Sequence, residues 1–428
     1  MKDKNFKKYI FFWISQSVSQ LGSSMTSFAL ILWTYKETNS AMRVSLMTFF
    51  AYAPYIIFSV FAGDFIDKHN KKKIMLVADF IAAIGSMVVL LLVLVNQLEI
   101  WHIYLINGVI GFTNSFQSPA EAVAVGIMVP EERYAQASGM NSFSSSLLTV
   151  VTPMLAAFIY SFLGLQGIIL IDLITFAIAF LLLMKFISIP EELTKASDKK
   201  HNIFQGCKEG MSFLYHYKGI WYILISMAFL NFFSRLTYEN ILCPMILARS
   251  GGSDQVLGIV SGVLGLGGIA GGIIVSFKKI TNNNLKLIYF SAAFSFLFGD
   301  LLMGLGQNTL VWCIAALAAS VPIPFIGAGQ SVIMYQVIPK EMQGRVFAVK
   351  NAIQYGTIPF GILLGGFLAD YVFEPFMRSN HFLVSYLQKI VGVGAGSGMA
   401  VMFLCTGILG FITSLGWYAN KDIRKLQE

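Results

Sequence analysis

Polar and charged side chains recur at helical intervals inside four of the long apolar runs of this 428-residue chain. They are Gln16, Gln20 and Ser24 in the first run; Asn107, Asn114, Gln117 and Glu121 in the fourth; Asn231, Arg235 and Glu239 in the seventh; and Gln330 and Gln336 near the end of the tenth, with Tyr335 nearby. Intervals of three, four and seven residues put such side chains on one face of a helix. These faces can bond to neighbouring helices, or border a water-filled cavity that binds polar cargo and passes protons. For any single glutamine or serine, interhelical hydrogen bonding is the simpler interpretation. The four stripes taken together favour a water-filled cavity.

Five carboxylates within the apolar runs are candidates for carrying a proton: Asp79, Glu121, Asp172, Glu239 and Asp300. A charged side chain at the centre of a bilayer costs about 2.5–3.5 kcal/mol, so each needs a reason to be there. Burial favours the neutral acid over the carboxylate, as a proton carrier requires. The sequence contains no phosphate-binding GxxxxGK[ST] loop, so the expected energy source is a proton gradient, without a cofactor. Asp300 receives no role from the sequence.

The neighbours of the other acids leave alternatives open. Glu239 has Arg235 one helical turn away, and the two can form a structural ion pair or a pair that exchanges partners during transport. Glu121 can carry a proton or contact the substrate, or it can be a solvated acid at a helix end. Asp172 is either a structural hydrogen-bond acceptor or a buried proton site. Asp79 is expected to support a nearby lysine cluster.

The apolar runs that position these residues predict an all-α membrane protein of twelve transmembrane helices. Hydrophobic residues make up 56% of the chain and charged residues 12%, which is more apolar surface than one soluble core can hide. Runs of about 20 apolar residues are long enough to cross a bilayer as helices, and the period-two alternation of a barrel is missing. The spans cover roughly 10–34, 45–66, 74–96, 101–123, 137–162, 165–187, 220–246, 256–277, 285–306, 309–334, 346–370 and 393–419.

The distribution of Lys and Arg residues predicts how these spans are oriented in the membrane. With the N-terminus in the cytoplasm, 24 of the 30 Lys and Arg residues fall inside and five outside. Cytoplasmic loops carry such an excess, so both termini are predicted to be cytoplasmic. The net charge of +8 therefore reflects topology, and no nucleic-acid partner is expected.

The two halves of the chain share features at a constant offset of 209 residues. Gly63 then matches Gly272, and the Pro-Glu-Glu at 130–132 matches the Pro-Lys-Glu at 339–341. This predicts two pseudo-symmetric six-helix bundles with a cleft between them, at 1–190 and 219–428. The polar stretch 191–218 reads as a cytoplasmic linker with an amphipathic segment at the membrane surface.

The stretch "GDFIDKHNKKK" resembles the loop signature of the major facilitator superfamily. Its glycine, acid and basic positions match the signature, while Asn70 replaces the usual second glycine; the matching residues are Gly63, Asp67, Lys68, Lys71 and Lys72. Within that family the chain looks most like bacterial macrolide-efflux-type exporters. The stretches that carry this likeness are "SQSVSQLGSSM", "DKHNKKKIMLVADF", "SPAEAVAVGIMVPEERYAQASG", "CKEGMSFL" and "GRVFAV".

The resemblance implies roles for two sets of residues. In the family, spans one, four, seven and ten line the central cavity, and these are the spans that carry the stripes. The family's loop aspartate closes the cytoplasmic side in the outward-facing state, so Asp67 would pair near the eleventh span, where Arg345 and Lys350 are available. The family's exporters commonly carry Gly-Pro-x-x-Gly-Gly in span five, where this chain has "TPMLAA". That departure weakens the antiporter assignment.

These observations predict a non-enzymatic multi-pass transporter of the bacterial cytoplasmic membrane. The expected activity is proton-coupled efflux of amphipathic organic compounds, macrolide-like or other drugs, by a monomer in contact with membrane lipid. One alternative is export or flipping of a siderophore or lysophospholipid, and another is a non-transporting membrane sensor or scaffold. No metal-ligand grouping is found in the sequence.

Overall fold

The computed structural model describes residues 2–130, 133–187, 203–277, 283–339, 346–347, 349–350, 352–354 and 356–426. Across these ranges the ordered elements are helices and no strand occurs. In the part of the chain that the structure describes, nine helical segments, some of them joining consecutive helices, are long and apolar enough to cross a membrane. The predicted all-α membrane class is therefore confirmed.

The chain divides into two compact units. The first comprises Met1–Asn39 and Leu46–Asp198, and the second comprises Ser40–Ser45 and Lys199–Glu428. The short segment Ser40–Ser45 contains the first residues of the second helix, so that helix begins in the second unit and continues in the first.

Five long helices form the first unit. They are α1 (Lys2–Thr38), α2 (Ala41–Lys68), α3 (Lys71–Leu94), α4 (Ile100–Met128) and α5 (Tyr134–Phe186). The Asn70 side chain accepts a hydrogen bond from the Lys73 amide and caps the start of α3, which satisfies one of the orphan amides of its first turn. α5 changes direction at Gly164, whose φ of 63° lies in the left-handed region that glycine adopts without steric cost. The predicted fifth and sixth spans are thus joined without a loop.

The helices of the second unit are shorter and more often interrupted. They are α6 (Ile203–His216), α7 (Lys218–Thr237), α8 (Leu242–Arg249), α9 (Asp254–Phe277), α10 (Asn284–Phe294), α11 (Leu301–Leu305), α12 (Thr309–Ser320), α13 (Ile323–Val337), α14 (Ile358–Phe367), α15 (Glu374–Met377), α16 (Phe382–Val391), α17 (Ser397–Tyr418) and α18 (Lys421–Arg424). The predicted seventh span is broken between α7 and α8. The twelfth begins at Ser397, after a separate helix, and not at the predicted residue 393.

Two short π-helical segments interrupt the spans of the second unit. π1 (Ser295–Asp300) joins α10 to α11, and π2 (Leu368–Phe373) joins α14 to α15. A π-helical turn inserts one extra residue into a helix, and such turns occur frequently at functional sites. Each segment contains one aspartate, Asp300 in π1 and Asp370 in π2.

Candidate functional site

A polar cluster in the first unit brings two of the in-span carboxylates together. The Gln117 side-chain amide on α4 donates a hydrogen bond to the Asp79 carboxylate on α3. One turn further along α4, Glu121 interacts electrostatically with Asp79 and with the Tyr9 hydroxyl on α1. The interval of four residues between Gln117 and Glu121 places both on the α4 face that meets α3. The Asp79 carboxylate is thus bonded to the next helix. Its expected support of the lysine cluster stays a prediction, because the side chain of Lys68 lies outside the described residues.

Tyr9 connects this cluster to α5. Its ring is fully buried, and its hydroxyl lies 3.3 Å from the Asn141 Oδ1 and 3.4 Å from the Ala137 carbonyl oxygen. Three helices besides α3 therefore contribute polar atoms to one region of the first unit. Two carboxylates that face each other repel when both are ionised, so such a pair is suited to sharing a proton.

Asp172 on α5 forms a second polar cluster in the first unit. Its side chain is only 3% exposed. The Ser23 hydroxyl on α1 donates to Oδ1 at 2.9 Å, and the Ser86 hydroxyl on α3 donates to Oδ2 at 3.1 Å. Each carboxylate oxygen thus has its own donor, an arrangement that supports the carboxylate as a hydrogen-bond acceptor joining three helices.

Arg235 and Glu239 form an ion pair on the last turn of α7 and the segment that follows it. Their side chains are 33% and 21% exposed, although the surrounding sequence is apolar. A Cβ added at Gly361 would lie 3.1 Å from the Arg235 Cβ, so this glycine lets α14 pass close to α7. The predicted pairing is confirmed; whether the pair exchanges partners stays a prediction.

Asp300, at the end of π1, is 1% exposed. The Thr406 hydroxyl on α17 donates to its Oδ2 at 2.8 Å. The Tyr238 hydroxyl interacts with the same carboxyl group, but it is buried without a well-formed hydrogen bond. No spacing in the sequence predicts that these three residues meet, because they lie on segments far apart in the chain.

Asp370 in π2 caps the first turn of α2, within the second unit. Its Oδ2 accepts hydrogen bonds from the Ser40 hydroxyl at 2.5 Å and the Met42 amide at 2.9 Å. Its Oδ1 accepts from the Ala41 amide at 3.0 Å. A carboxylate at a helix N-terminus satisfies free amides and interacts favourably with the helix dipole. Sequence reasoning missed Asp370, and the only available signal was an acid at the end of an apolar run.

The stripe residues of the first unit occupy unequal environments. Gln16 is 9% exposed, and its Nε2 has no hydrogen-bond partner, whereas Gln20 and Asn114 are exposed. Asn107 donates through Nδ2 to the Met47 carbonyl oxygen at 3.2 Å. Asn107 therefore bonds to a neighbouring helix, as one of the two alternatives predicts. Gln20 and Asn114 are instead exposed.

The stripe residues of the second unit also differ in burial. Gln330 is buried, with an Nε2 that has no hydrogen-bond partner, and Gln336 is exposed. Asn231 is half-buried. The side chain of Tyr335 lies outside the described residues.

Most of the predicted gate also lies outside the described residues. This holds for the surroundings of Gly63, for the side chains of Asp67 and Lys68 and for the whole of Arg345. Lys71 is buried, and the Lys72 ammonium donates to the Met184 carbonyl oxygen at 2.9 Å. A gating role for these residues stays a prediction. Among the residues that the structure describes, no group of three or more His, Cys, Asp or Glu side chains could hold a metal ion.

The chain is similar to one protein family and to several named proteins. The sequence model of the Major Facilitator Superfamily matches residues 12–362. The chain is 28% identical over 374 residues to macrolide efflux protein A of Streptococcus pyogenes, covering 86% of this chain and 91% of that protein. It is 27% identical over 327 residues to macrolide efflux protein A of Enterococcus faecalis, covering 76% of this chain and 99% of the relative.

The fold is also found among solved structures. The crystal structure of a bacterial homologue of the iron transporter ferroportin, in an inward-facing state, superposes with a TM-score of 0.71. The match covers 97% of this chain and 99% of that one, at 14% sequence identity. A likeness at this identity shows a shared fold and says nothing about shared cargo.

Proposed function

We propose, from the premise that the chain belongs to the Major Facilitator Superfamily of membrane transporters, that it exports amphipathic organic compounds of the macrolide kind. Export would cross the bacterial cytoplasmic membrane by alternating access and would be coupled to proton entry. Resemblance to the family was predicted from the loop "GDFIDKHNKKK", and the family match confirms it. Two relatives named macrolide efflux protein A, aligned over most of the chain, support the choice of cargo class.

The observation that carries the proposal is the exposure of polar side chains within apolar spans. Gln20 and Asn114 are exposed on α1 and α4, and the Arg235–Glu239 pair is partly exposed at the end of α7. Facing hydrocarbon would cost each charged group about 2.5–3.5 kcal/mol. A water-filled passage removes this cost and gives an amphipathic cargo polar partners beside apolar walls.

The proton-coupling part of the proposal is supported by the Asp79–Gln117–Glu121 cluster. Its two carboxylates repel each other when both are ionised, so binding one proton relieves the repulsion. The Tyr9 hydroxyl on α1 interacts electrostatically with Glu121, and a hydroxyl can bond to an acid in either protonation state. Movement of α1 against α4 would therefore alter the proton affinity of the pair.

The cargo class is tested by susceptibility to erythromycin, a dye and a quaternary amine in a host without its own efflux pumps. We expect the wild-type chain to raise the inhibitory concentration of erythromycin at least fourfold. Glu239→Gln should abolish most of this protection, because it removes one partner of the in-span ion pair. Asp422→Asn is the matched control, since this acid pairs with Lys425 on a short terminal helix. No protection by the wild type against any of the three compounds would refute drug export.

Coupling is tested separately in proteoliposomes with radiolabelled erythromycin and an imposed pH gradient. We expect a protonophore to abolish accumulation by the wild-type protein. Glu121→Gln should slow gradient-driven accumulation more than it slows exchange of labelled for unlabelled cargo, because exchange needs no net proton transfer. Accumulation that persists with the protonophore present would rule out the antiport mechanism.

A further inference from the structure

The carboxyl group of Asp300 is enclosed by close helix contacts. A Cβ added at Gly299 would lie 2.6 Å from the Ala319 Cβ, which shows how closely π1 meets α12. A Cβ added at Gly407 would lie 3.0 Å from the Phe296 carbonyl oxygen and 3.1 Å from the Leu301 amide nitrogen. These contacts bring two helices against the segment that carries Asp300, and they account for its 1% exposure.

The hydrogen bonds around Asp300 fit a neutral acid better than a carboxylate. The Thr406 Oγ1 lies 2.8 Å from the Asp300 Oδ2 and 3.2 Å from the Phe403 carbonyl oxygen. A hydroxyl carries one hydrogen and can donate to only one of these acceptors. If Asp300 is protonated, its O–H donates to Thr406 and the threonine donates to Phe403, so both hydroxyl hydrogens are bonded. If Asp300 is ionised, Thr406 must supply the one well-formed bond to a fully buried charge.

Among the residues that the structure describes, no cation interacts with the Asp300 carboxyl group. α17 contributes the Thr406 hydroxyl, and the segment after α7 contributes Tyr238, whose ring packs edge-on against Phe403 with 5.3 Å between ring centroids. α12 meets π1 at the neighbouring Gly299 through the apolar Ala319. Among the described residues, Tyr238 is the titratable group that interacts with Asp300. A buried carboxylate without a cation and with one good donor is costly, and such a group takes up a proton instead.

We propose that Asp300, Thr406 and Tyr238 form a proton-binding site in the second unit, and that Asp300 carries a coupling proton there. This inference rests on the proposed proton-coupled export and names a residue for it. The sequence offered no role for Asp300, and the Asp79–Glu121 cluster lies in the other unit.

The π-helical segment supplies a means of releasing the proton. The Leu301 amide donates to the Phe296 carbonyl oxygen, five residues earlier, where an α-helix would use a carbonyl four residues earlier. Conversion of π1 to α-helix turns the Asp300 side chain by about 100°, the rotation of one residue, and takes it away from Thr406. The Asp300 O–H bond then breaks, the proton passes to water, and the carboxylate is left hydrated; loading is the reverse transfer from water.

The test is pH-difference infrared spectroscopy of the purified protein in lipid, which detects the C=O stretch of protonated carboxyl groups without any cargo. We expect Asp300→Asn to remove one component of this band at neutral pH. Asp172→Asn, the matched control, should leave that component unchanged. Thr406→Val should keep the component but move it to higher frequency, because the acid loses its hydrogen-bond partner. A band that is the same in Asp300→Asn and wild type, or that does not move in Thr406→Val, would overturn the site.

A transport measurement tests this proposal separately from the proposed export function. Asp300→Asn should lower pH-driven erythromycin accumulation at least tenfold while leaving cargo exchange within twofold of wild type. If the wild-type protein moves no erythromycin but the infrared component is lost in Asp300→Asn, export of macrolides fails and the proton site stands. If transport is proton-coupled and equally fast in Asp300→Asn, the carrier role fails and the export function stands.

Discussion

Asp172 in the first unit and Asp300 in the second are both buried aspartates inside apolar spans, but their surroundings differ. Asp172 accepts one hydroxyl hydrogen bond at each oxygen, from Ser23 and from Ser86. Asp300 has one well-formed partner, Thr406, which also lies within reach of a backbone acceptor. The proposed assignment of a charged Asp172 and a protonated Asp300 therefore rests on the number of hydroxyl donors, because the two side chains are almost equally buried.

The two sites nevertheless share a mode of construction. In both, a glycine lets another helix come into contact beside the acid. A Cβ at Gly22 would meet the Asp172 backbone at 3.0 Å, and a Cβ at Gly299 would meet Ala319 at 2.6 Å. Small residues at helix crossings are the usual means of close packing in membrane bundles. Packing makes the two sites alike, and their hydroxyl donors make them different.

The largest expected effect comes from breaking the packing at the Asp300 site. Gly299→Val places side-chain atoms where Ala319 already lies, and we expect a loss of about 3 kcal/mol in stability, the upper end for overpacked cores. The measurement is thermal unfolding of the purified protein in detergent. Gly268→Val is the control, because nothing lies within 4 Å of a Cβ added at Gly268 in α9. Equal melting temperatures for both variants would show that the close contact with α12 is unimportant.

Replacing each of the two aspartates with asparagine should lower the stability of the protein by different amounts. Asp172→Asn replaces two charge-assisted hydrogen bonds with weaker ones, and we expect it to cost about 2 kcal/mol. Asp300→Asn replaces a neutral acid with a neutral amide of the same shape, so we expect less than about 1 kcal/mol. The same unfolding assay measures both variants. A larger loss for Asp300→Asn than for Asp172→Asn would reverse the assignment of charged and neutral forms.

Removing a single hydroxyl donor sharpens the comparison at Asp172. Ser86→Ala should cost about 1 kcal/mol in the wild-type background, the typical net value of a hydrogen bond. In an Asp172→Asn background the same change should cost less, because the charge-assisted bond has already been lost. A double-mutant cycle measures this coupling directly. Additive losses would mean that Ser86 stabilises α3 independently of Asp172.

The smallest effect is expected at Tyr238. Its hydroxyl lies beside Asp300 without a well-formed hydrogen bond, so Tyr238→Phe should change stability by less than about 0.5 kcal/mol. Tyr289→Phe is the matched variant, since that buried hydroxyl lies 2.7 Å from the Ser226 hydroxyl, and its removal should cost about 1 kcal/mol. Unfolding midpoints of the two variants give the answer, and a cost at Tyr238 as large as that at Tyr289 would indicate a strong bond to Asp300.

Much of the fold and part of the site followed from the sequence. Apolar runs of membrane-spanning length fixed the class and most helices, because hydrocarbon leaves the backbone few other ways to satisfy its hydrogen bonds. The Arg235–Glu239 pair was predictable because its spacing of four is set by the helix itself.

Contacts between distant segments could not be predicted in this way. Asp300 lies at the end of π1 and meets Thr406 on α17, 106 residues later, and no local pattern encodes the π-helical insertion or the contact. Asp79 was expected beside the lysines that are close in sequence, and its hydrogen bond from Gln117 on the next helix has no signal in that local pattern. The cap that Asp370 provides for α2 joins residues about 330 positions apart, and no spacing rule extends that far.

The single residue between the two parts of α5 has a consequence for which side chains the joint can accept. Gly164 has a φ of 63° and a ψ of −167°, a combination that is essentially restricted to glycine. A Cβ added at this position would meet no atom within 4 Å, so a substitution is opposed by the backbone conformation and not by crowding. Any other residue at 164 would therefore carry a cost of about 1–3 kcal/mol, although the space for its side chain is free.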